Sequence, residues 1–185
     1  TSKFLDMTGI QQYQSMIGAL QWSVSIGRLD ITTAVMTMSS FRAMPHRGHM
    51  DHVKHIYGYL YKMKDAVIRI RTAEPDYSAL PDQQFDWAKT VYGDVSEIVP
   101  EDIPTPLGNY VTLTHYFDAN LYHDILTGRS VTGTLHLLNK TPIDWFSKKQ
   151  ATVETATYGS EFIAGRTCVE QIIDLRTTLR YLCVP

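Results

Sequence analysis

Cysteine is scarce, with only Cys168 and Cys183 in 185 residues. Two thiols at that separation offer neither a disulfide framework nor the paired spacing of a zinc site, and they fit a reducing compartment. No apolar run approaches the roughly 18 residues that a membrane-spanning helix needs, so no membrane is expected as a partner. The start of the chain carries no signal-peptide pattern. Its first residue, Thr1, leads to the expectation of a piece cut from something longer. A basic excess is also missing: 17 Lys and Arg stand against 19 Asp and Glu, for a formal charge of -2. Any nucleic-acid surface must therefore be a local patch. Nothing repeats, and no segment is low in complexity. What is present, 44% hydrophobic and 19% charged residues, describes an ordinary globular chain long enough for one or two small cores.

The first 73 residues read as helices. Ile10, Tyr13, Ile17, Leu20 and Val24 recur at helical spacing, and Gly27 ends the run. Asp30 is a plausible N-cap for a second stripe, Ala34, Val35, Met38 and Phe41, which stops before Pro45. A third helix begins near Gly48 or His49, turns Val53, Ile56, Leu60 and Met63 inward, and carries Lys54, Lys62 and Lys64 outward. Three short helices with brief connections make a small bundle. From 74 to 109 the periodicity is lost, and prolines at 75, 81, 100, 104 and 106 mark a linker or insertion. Trp87 and Tyr92 within it argue for partial docking.

Beyond Gly108 the pattern becomes strand-like. Tyr110 to Phe117, ending at Asp118, is followed by Arg129 to Leu138 and Ile143 to Lys148, with a tight reversal over Asn139 to Pro142. A long helix then runs from about Gly159 to Tyr181 with Phe162, Val169, Ile172, Ile173 and Leu179 as its expected buried stripe. The expected class is α/β (α+β): a helical bundle, then a three-stranded antiparallel meander packed on one long helix.

Asp118 at a strand end and Glu161 one turn into the helix are the candidate chemistry. Metal-dependent phosphodiester hydrolysis needs clustered carboxylates to hold two hard divalent cations with open positions for water and phosphate. On spacing alone the two acids read more readily as a turn former and a complement to the helix dipole. His46, His49, His52 and His55 stand three apart, whereas a metal-binding helix prefers steps of four; a polar face touching phosphate is the better reading. Arg42, Arg47, Lys54, Lys62 and Lys64 form the candidate nucleic-acid patch, with a solvated face as the equal alternative. Cys168 falls near the helix's apolar stripe and reads as core.

The residues around the two acids resemble a known family. Tyr116-Phe117-Asp118-Ala119-Asn120, then Thr127-Gly128-Arg129-Ser130-Val131-Thr132-Gly133, is similar to the opening of the ribonuclease H domain of copia-type (pseudoviral) LTR retrotransposons. The likeness continues through Pro142-Ile143-Asp144-Trp145-Phe146-Ser147-Lys148-Lys149-Gln150, Thr152-Val153 and Ser160-Glu161-Phe162-Ile163-Ala164. Upstream, Tyr13-Gln14-Ser15-Met16-Ile17-Gly18-Ala19-Leu20, Gly27-Arg28-Leu29-Asp30-Ile31, and Pro45, His49, Lys54 and Tyr59-Leu60 resemble the stretch after the polymerase palm in the same Pol polyproteins.

The resemblance implies a reverse transcriptase thumb-like region over 1–73, an insertion over 74–109, and the N-terminal part of a ribonuclease H-like domain over 110–185. It implies that Asp118 and Glu161 are catalytic and hold Mg2+, with Asp124 at best an auxiliary ligand and more readily a turn residue. The implied reaction is hydrolysis of the RNA strand of an RNA–DNA hybrid. Implied partners are template–primer nucleic acid and the rest of the Pol polyprotein, in a cytoplasmic virus-like particle or the nucleus. Asn120 and Gly159 stand where the family has acids, so the site is less acidic than usual, and the long insertion suggests a divergent branch. The family's third aspartate belongs to a strand beyond Pro185, so the two-metal site is expected to be incomplete and the fragment nearly inactive by itself. The alternative is a non-catalytic nucleic-acid-binding or structural remnant of a decayed element.

Overall fold

The computed structural model describes residues 2–73, 75–79, 86–93 and 97–185. Helix α1 spans Met7–Ser25, a short 3-10 turn covers Leu29–Ile31, α2 spans Thr32–Ser39 and α3 spans Arg47–Lys62. Tyr13, Ile17 and Leu20 of the first stripe are fully buried, and Val35, Met50, Val53 and Ile31 close the core around them. The Tyr13 hydroxyl donates to the Met38 carbonyl at 2.7 Å, and burial pushes the phenol up to about 12. Tyr57 donates across the bundle to Met16 O at 2.9 Å, so two phenols fasten α1 to its neighbours.

Two expectations for the bundle need correction. Asp30 does not cap α2; it sits inside the 3-10 turn and accepts both guanidinium donors of Arg28, at 3.0 and 2.7 Å. Capping goes instead to Asp6, whose carboxylate accepts the Gly9 N–H at 2.8 Å and starts α1. Met63 is not turned inward: it is the C-cap residue of α3, past the last helical turn, and is 43% exposed. Gly27 follows α1 with φ +132°, a conformation that favours glycine and lets the chain reverse into the 3-10 turn.

Among the described residues, the 74–109 segment is attached through ion pairs near its far end and through the Tyr77 hydroxyl, which is hydrogen-bonded to the Thr114 hydroxyl. Glu97 binds Arg176 at 2.6 Å and Arg180 at 2.8 Å, Asp102 accepts the Tyr181 hydroxyl at 3.0 Å, and Leu107 N–H donates to Cys183 O. Tyr92 is 76% exposed, contrary to a docking role. The Trp87 side chain, Glu74 and Pro81 lie outside the described residues.

Strands β1 (Leu113–Asp124), β2 (Arg129–Leu138) and β3 (Thr141–Lys149) form one antiparallel sheet in the order β1-β2-β3, the expected meander, and α4 (Thr157–Tyr181) follows. The class is mixed helix and antiparallel sheet, α+β. A two-residue turn, Asn139-Lys140, joins β2 to β3, with Asn139 at φ +51°. Asn139 also locks the β1 entry, exchanging bonds of 2.7 and 2.9 Å with Thr112. The first strand is longer than its alternating pattern suggested. It pairs with β2 continuously from Leu113 to Asn120, so Asp118 lies in mid-strand opposite Gly133 and not at a strand end.

The buried side of α4 also differs from its expected stripe. Ser160, Ala164 and Cys168 face the sheet, whereas Phe162, Val169 and Ile173 are all more than half exposed. Small residues let the helix lie close on the sheet: a Cβ at Gly165 would come within 3.3 Å of the Phe117 ring. Phe162, Val169 and Ile173 are therefore turned away, while Ile172 and Leu179 of the expected stripe are half-buried.

Truncation separates the two kinds of apolar position. Ile17→Ala should cost about 2–5 kcal/mol in urea unfolding, as for a fully buried aliphatic side chain. Phe162→Ala should stay within about 0.5 kcal/mol, as for an ordinary surface site. A large loss at Phe162 would mean that the exposed face of α4 is covered in solution.

Candidate functional site

In the pleat of β1, successive side chains alternate between the two faces of the sheet. His115 and Phe117 face α4: His115 bonds His136, which reaches Gln171 on the helix, and Phe117 meets Gly165. Asp118, of opposite parity, therefore faces away from α4. It lines a hollow of about 300 Å³ with Leu29, Thr32, Thr33, Tyr116, Trp145 and Ser147. Glu161 lies just beyond the first turn of α4, half-buried, on the other side of the sheet. The alternation thus parts the two carboxylates that the resemblance pairs.

Asp124 is already engaged. Its carboxylate forms an ion pair with Lys149, accepts the Thr127 hydroxyl at 2.7 Å, and accepts the Leu126 N–H at 3.2 Å. The Lys149 ammonium, helped by Thr127, holds the carboxyl down at about 2. Asp124 closes the β1–β2 turn and ties it to β3, the structural role weighed against metal binding. Among the described residues no group of three His, Cys, Asp or Glu could hold a metal ion. A hard divalent cation wants several converging oxygens, and the donors present do not converge, so in this arrangement they do not fit Mg2+.

What positions the start of α4 is Gln150, a residue that spacing alone gave no reason to single out. Its buried amide donates to Thr132 Oγ1 at 3.0 Å and to Ser160 O at 2.9 Å, joining β2 to the turn that carries Glu161. The sequence signal that could have found it is a polar residue directly after a strand and ahead of a helix start.

The five basic candidates are all exposed, and none is in an ion pair among the described residues. Arg47 and Lys54 lie seven residues, or about two turns, apart on α3 and face the same way. Lys62 is displaced around that helix, Lys64 lies past its end, and Arg42 sits in the turn after α2. The histidines divide their work. His46 N–H donates to His49 Nδ1 at 3.2 Å, capping α3, and His49 stacks on Phe41 at 3.9 Å. Burial, with His46 and His52 adding to it, holds His49 below the ordinary imidazole range. His52 and His55 instead line a hollow of about 490 Å³ with Ile31, Met38, Ile56 and Tyr59.

Comparisons with known proteins bear on the origin. Over 104 residues the chain is 31% identical to a Ty5-1 transposon protein of Saccharomyces cerevisiae, a match covering 56% of the chain and 30% of that protein. Over 170 residues it is 25% identical to the retrovirus-related Pol polyprotein from transposon TNT 1-94 of Nicotiana tabacum, covering 92% of the chain and 10% of the polyprotein. The likeness supports a retrotransposon Pol origin. The chain is also 24% identical over 168 residues to secreted RxLR effector protein 161 of Plasmopara viticola, covering 91% of the chain and 94% of that protein. It thus spans under a third of each transposon relative and nearly all of the third. No family model matches the chain, and no solved structure matches it. Among the described residues no helix is long and apolar enough to cross a membrane.

The Asp124 ion pair has a testable titration. Its folded-state value lies below the ordinary 3.8, so its contribution to stability is full above 3.8 and is lost as pH falls toward about 2. Replacing Lys149 with methionine should move the Asp124 carboxyl midpoint, followed by NMR, up toward 3.8 and flatten stability across that window. An unmoved midpoint would assign the depression to Thr127 and Leu126 instead.

Proposed function

We propose that the chain is the junction of a copia-type Pol polyprotein, with residues 1–73 from the thumb-like end of the reverse transcriptase and residues 110–185 from a ribonuclease H-like unit. The observation that carries the reading is the order of elements, a helical bundle followed by the β1-β2-β3 meander and α4, in a chain alignable with a Pol polyprotein over 92% of its length. The order of the motif residues along the elements supports the reading: Asp118 on β1, the Pro142 to Lys149 run on β3, and Glu161 one turn into α4.

Within that reading, the arrangement favours nucleic-acid binding over hydrolysis for residues 1–185. Asp118 and Glu161 lie on opposite sides of the sheet, and Asp124 is bound to Lys149. Magnesium-dependent cleavage of the RNA strand is the proposed activity of the whole Pol protein, in which Asp118 and Glu161 would have to converge. That a chain of nearly this extent stands as a separate protein in Plasmopara viticola supports the alternative, a binding or structural unit with no catalysis of its own.

Binding and cutting separate cleanly in the test. Residues 1–185 should retain a labelled RNA–DNA hybrid but cleave it no faster than buffer with magnesium, and Asp118→Asn should change neither. Arg47→Gln with Lys54→Gln should weaken retention and reduce the slope of log affinity against log salt by about two. Magnesium-dependent cleavage abolished by Asp118→Asn would restore the catalytic role to this piece. Salt-insensitive retention would remove the basic patch.

A further inference from the structure

The contact between sheet and α4 contains a chain of polar groups that the proposed function does not use. His136 is fully buried, Thr134 is 6% exposed, and both meet the amide of Gln171 on α4. Gln171 Oε1 accepts the Thr134 hydroxyl at 2.8 Å and lies 3.1 Å from His136 Nε2. On the other side of the ring, His136 Nδ1 lies 2.7 Å from His115 Nδ1. An amide oxygen only accepts, so Nε2 of His136 carries the proton. The neutral ring then has its lone pair on Nδ1, and His115 must donate to it. Every proton in the chain has one allowed place.

We propose that His115, His136 and Gln171 form a proton-sensitive latch: in the neutral state they hold α4 on the sheet, and acidification releases the helix. One added proton can still be shared between the two Nδ1 atoms, but it leaves a charge on a pair whose inner ring is fully buried, and a second would set two N–H groups against each other at 2.7 Å. A proton added to His115 puts a charge beside a buried ring with no anion in contact. Burial, with His136 adding to it, holds His115 below the ordinary imidazole range.

The surrounding groups supply no counter-charge. From β3, Asp144 is paired with His136 in register, but it is exposed and accepts its own strand's Trp145 N–H. On α4, Cys168 is buried one turn before Gln171 with its thiol pushed up by burial, and Asp174 one turn beyond is exposed. Arg176 is taken by Glu97. On β1, Asp118 faces the opposite way.

The sign follows from linkage. Unfolded His115 takes up its proton at the ordinary imidazole value of 6.5, and in the folded latch it resists it. The contribution is therefore full above 6.5 and is lost as pH falls below it. Urea unfolding of the full chain from about pH 8 to about pH 5 should show the folding constant dropping by roughly tenfold. His49 adds a loss of the same sign, so variants isolate the latch. His115→Phe with His136→Leu should retain only the His49 portion. Gln171→Glu places a carboxylate against His136 and should invert the latch portion, so that acid stabilises. If both variants keep the wild-type pH profile, the latch is wrong. If neither folds, the ring nitrogens of the 15N-labelled wild type decide it. A proton on His136 Nε2 at neutral pH is required, and one on Nδ1 overturns the proposal.

Discussion

The sheet half of the molecule depends on satisfying a buried polar seam. Thr132, Thr134 and His136 lie on the α4-facing side of β2 and are buried, as is Ser130, whose hydroxyl alone of the four has no partner. A buried hydroxyl or imidazole without a partner costs on the order of 1–3 kcal/mol, so the helix that covers this strand must bring acceptors and donors to it. Gln171 answers Thr134 and His136, and Gln150, with the Ser160 carbonyl, answers Thr132. These points lie at the two ends of the contact, about three helical turns apart on α4. They fix how far along β2 the helix sits and which way it is turned. An apolar seam would tolerate sliding; this one does not.

That rotation explains the surface. With Ser160, Ala164, Cys168 and Gln171 turned to the sheet, Phe162, Val169 and Ile173 have nowhere to point but outward. The same rotation carries Arg176 and Arg180 to the side where Glu97 crosses, so the 74–109 segment is held by charge at the end of the helix that the sheet leaves free. In the bundle the logic is the usual one, apolar stripe against apolar stripe, with Tyr13 and Tyr57 spending their hydroxyls on backbone carbonyls.

Legibility in the sequence follows the same division. Helical spacing located Tyr13, Ile17, Leu20, Val35 and Val53 because in the bundle the residues that are buried are the ones that are apolar. On α4 the converse holds: the fully buried residues are small, so apolar periodicity points largely to solvent-side positions such as Phe162, Val169 and Ile173. The hairpin over Asn139 was legible from turn chemistry, while the length of β1 was not, because Asp118 and Asn120 resemble turn residues and only pairing with β2 keeps them extended. Capping by His49 in place of an oxygen side chain carries no sequence signal at all. The positions of Asp118 and Glu161 on their elements could be read, but not the side of the sheet, since parity depends on register.

Register then links the latch to the catalytic question. A shift of one residue in strand pairing exchanges every side chain between the two faces. His115 and Asp118 are three residues apart, of opposite parity, and β1 pairs with β2 without interruption across both. In a regular strand they cannot both face α4. With His115 on His136, Asp118 is turned from Glu161; with Asp118 beside Glu161, His115 leaves His136 and the buried ring loses its donor. The strand is an edge strand, and its pairing breaks after Asn120, with Tyr122 at φ +53°. A break at that point frees only the last residues of β1 and lies beyond both positions. A Pol protein that brings Asp118 to a metal beside Glu161 must therefore re-pair the whole first strand or insert a bulge between His115 and Asp118. In either case the seat of α4 has to change with the site.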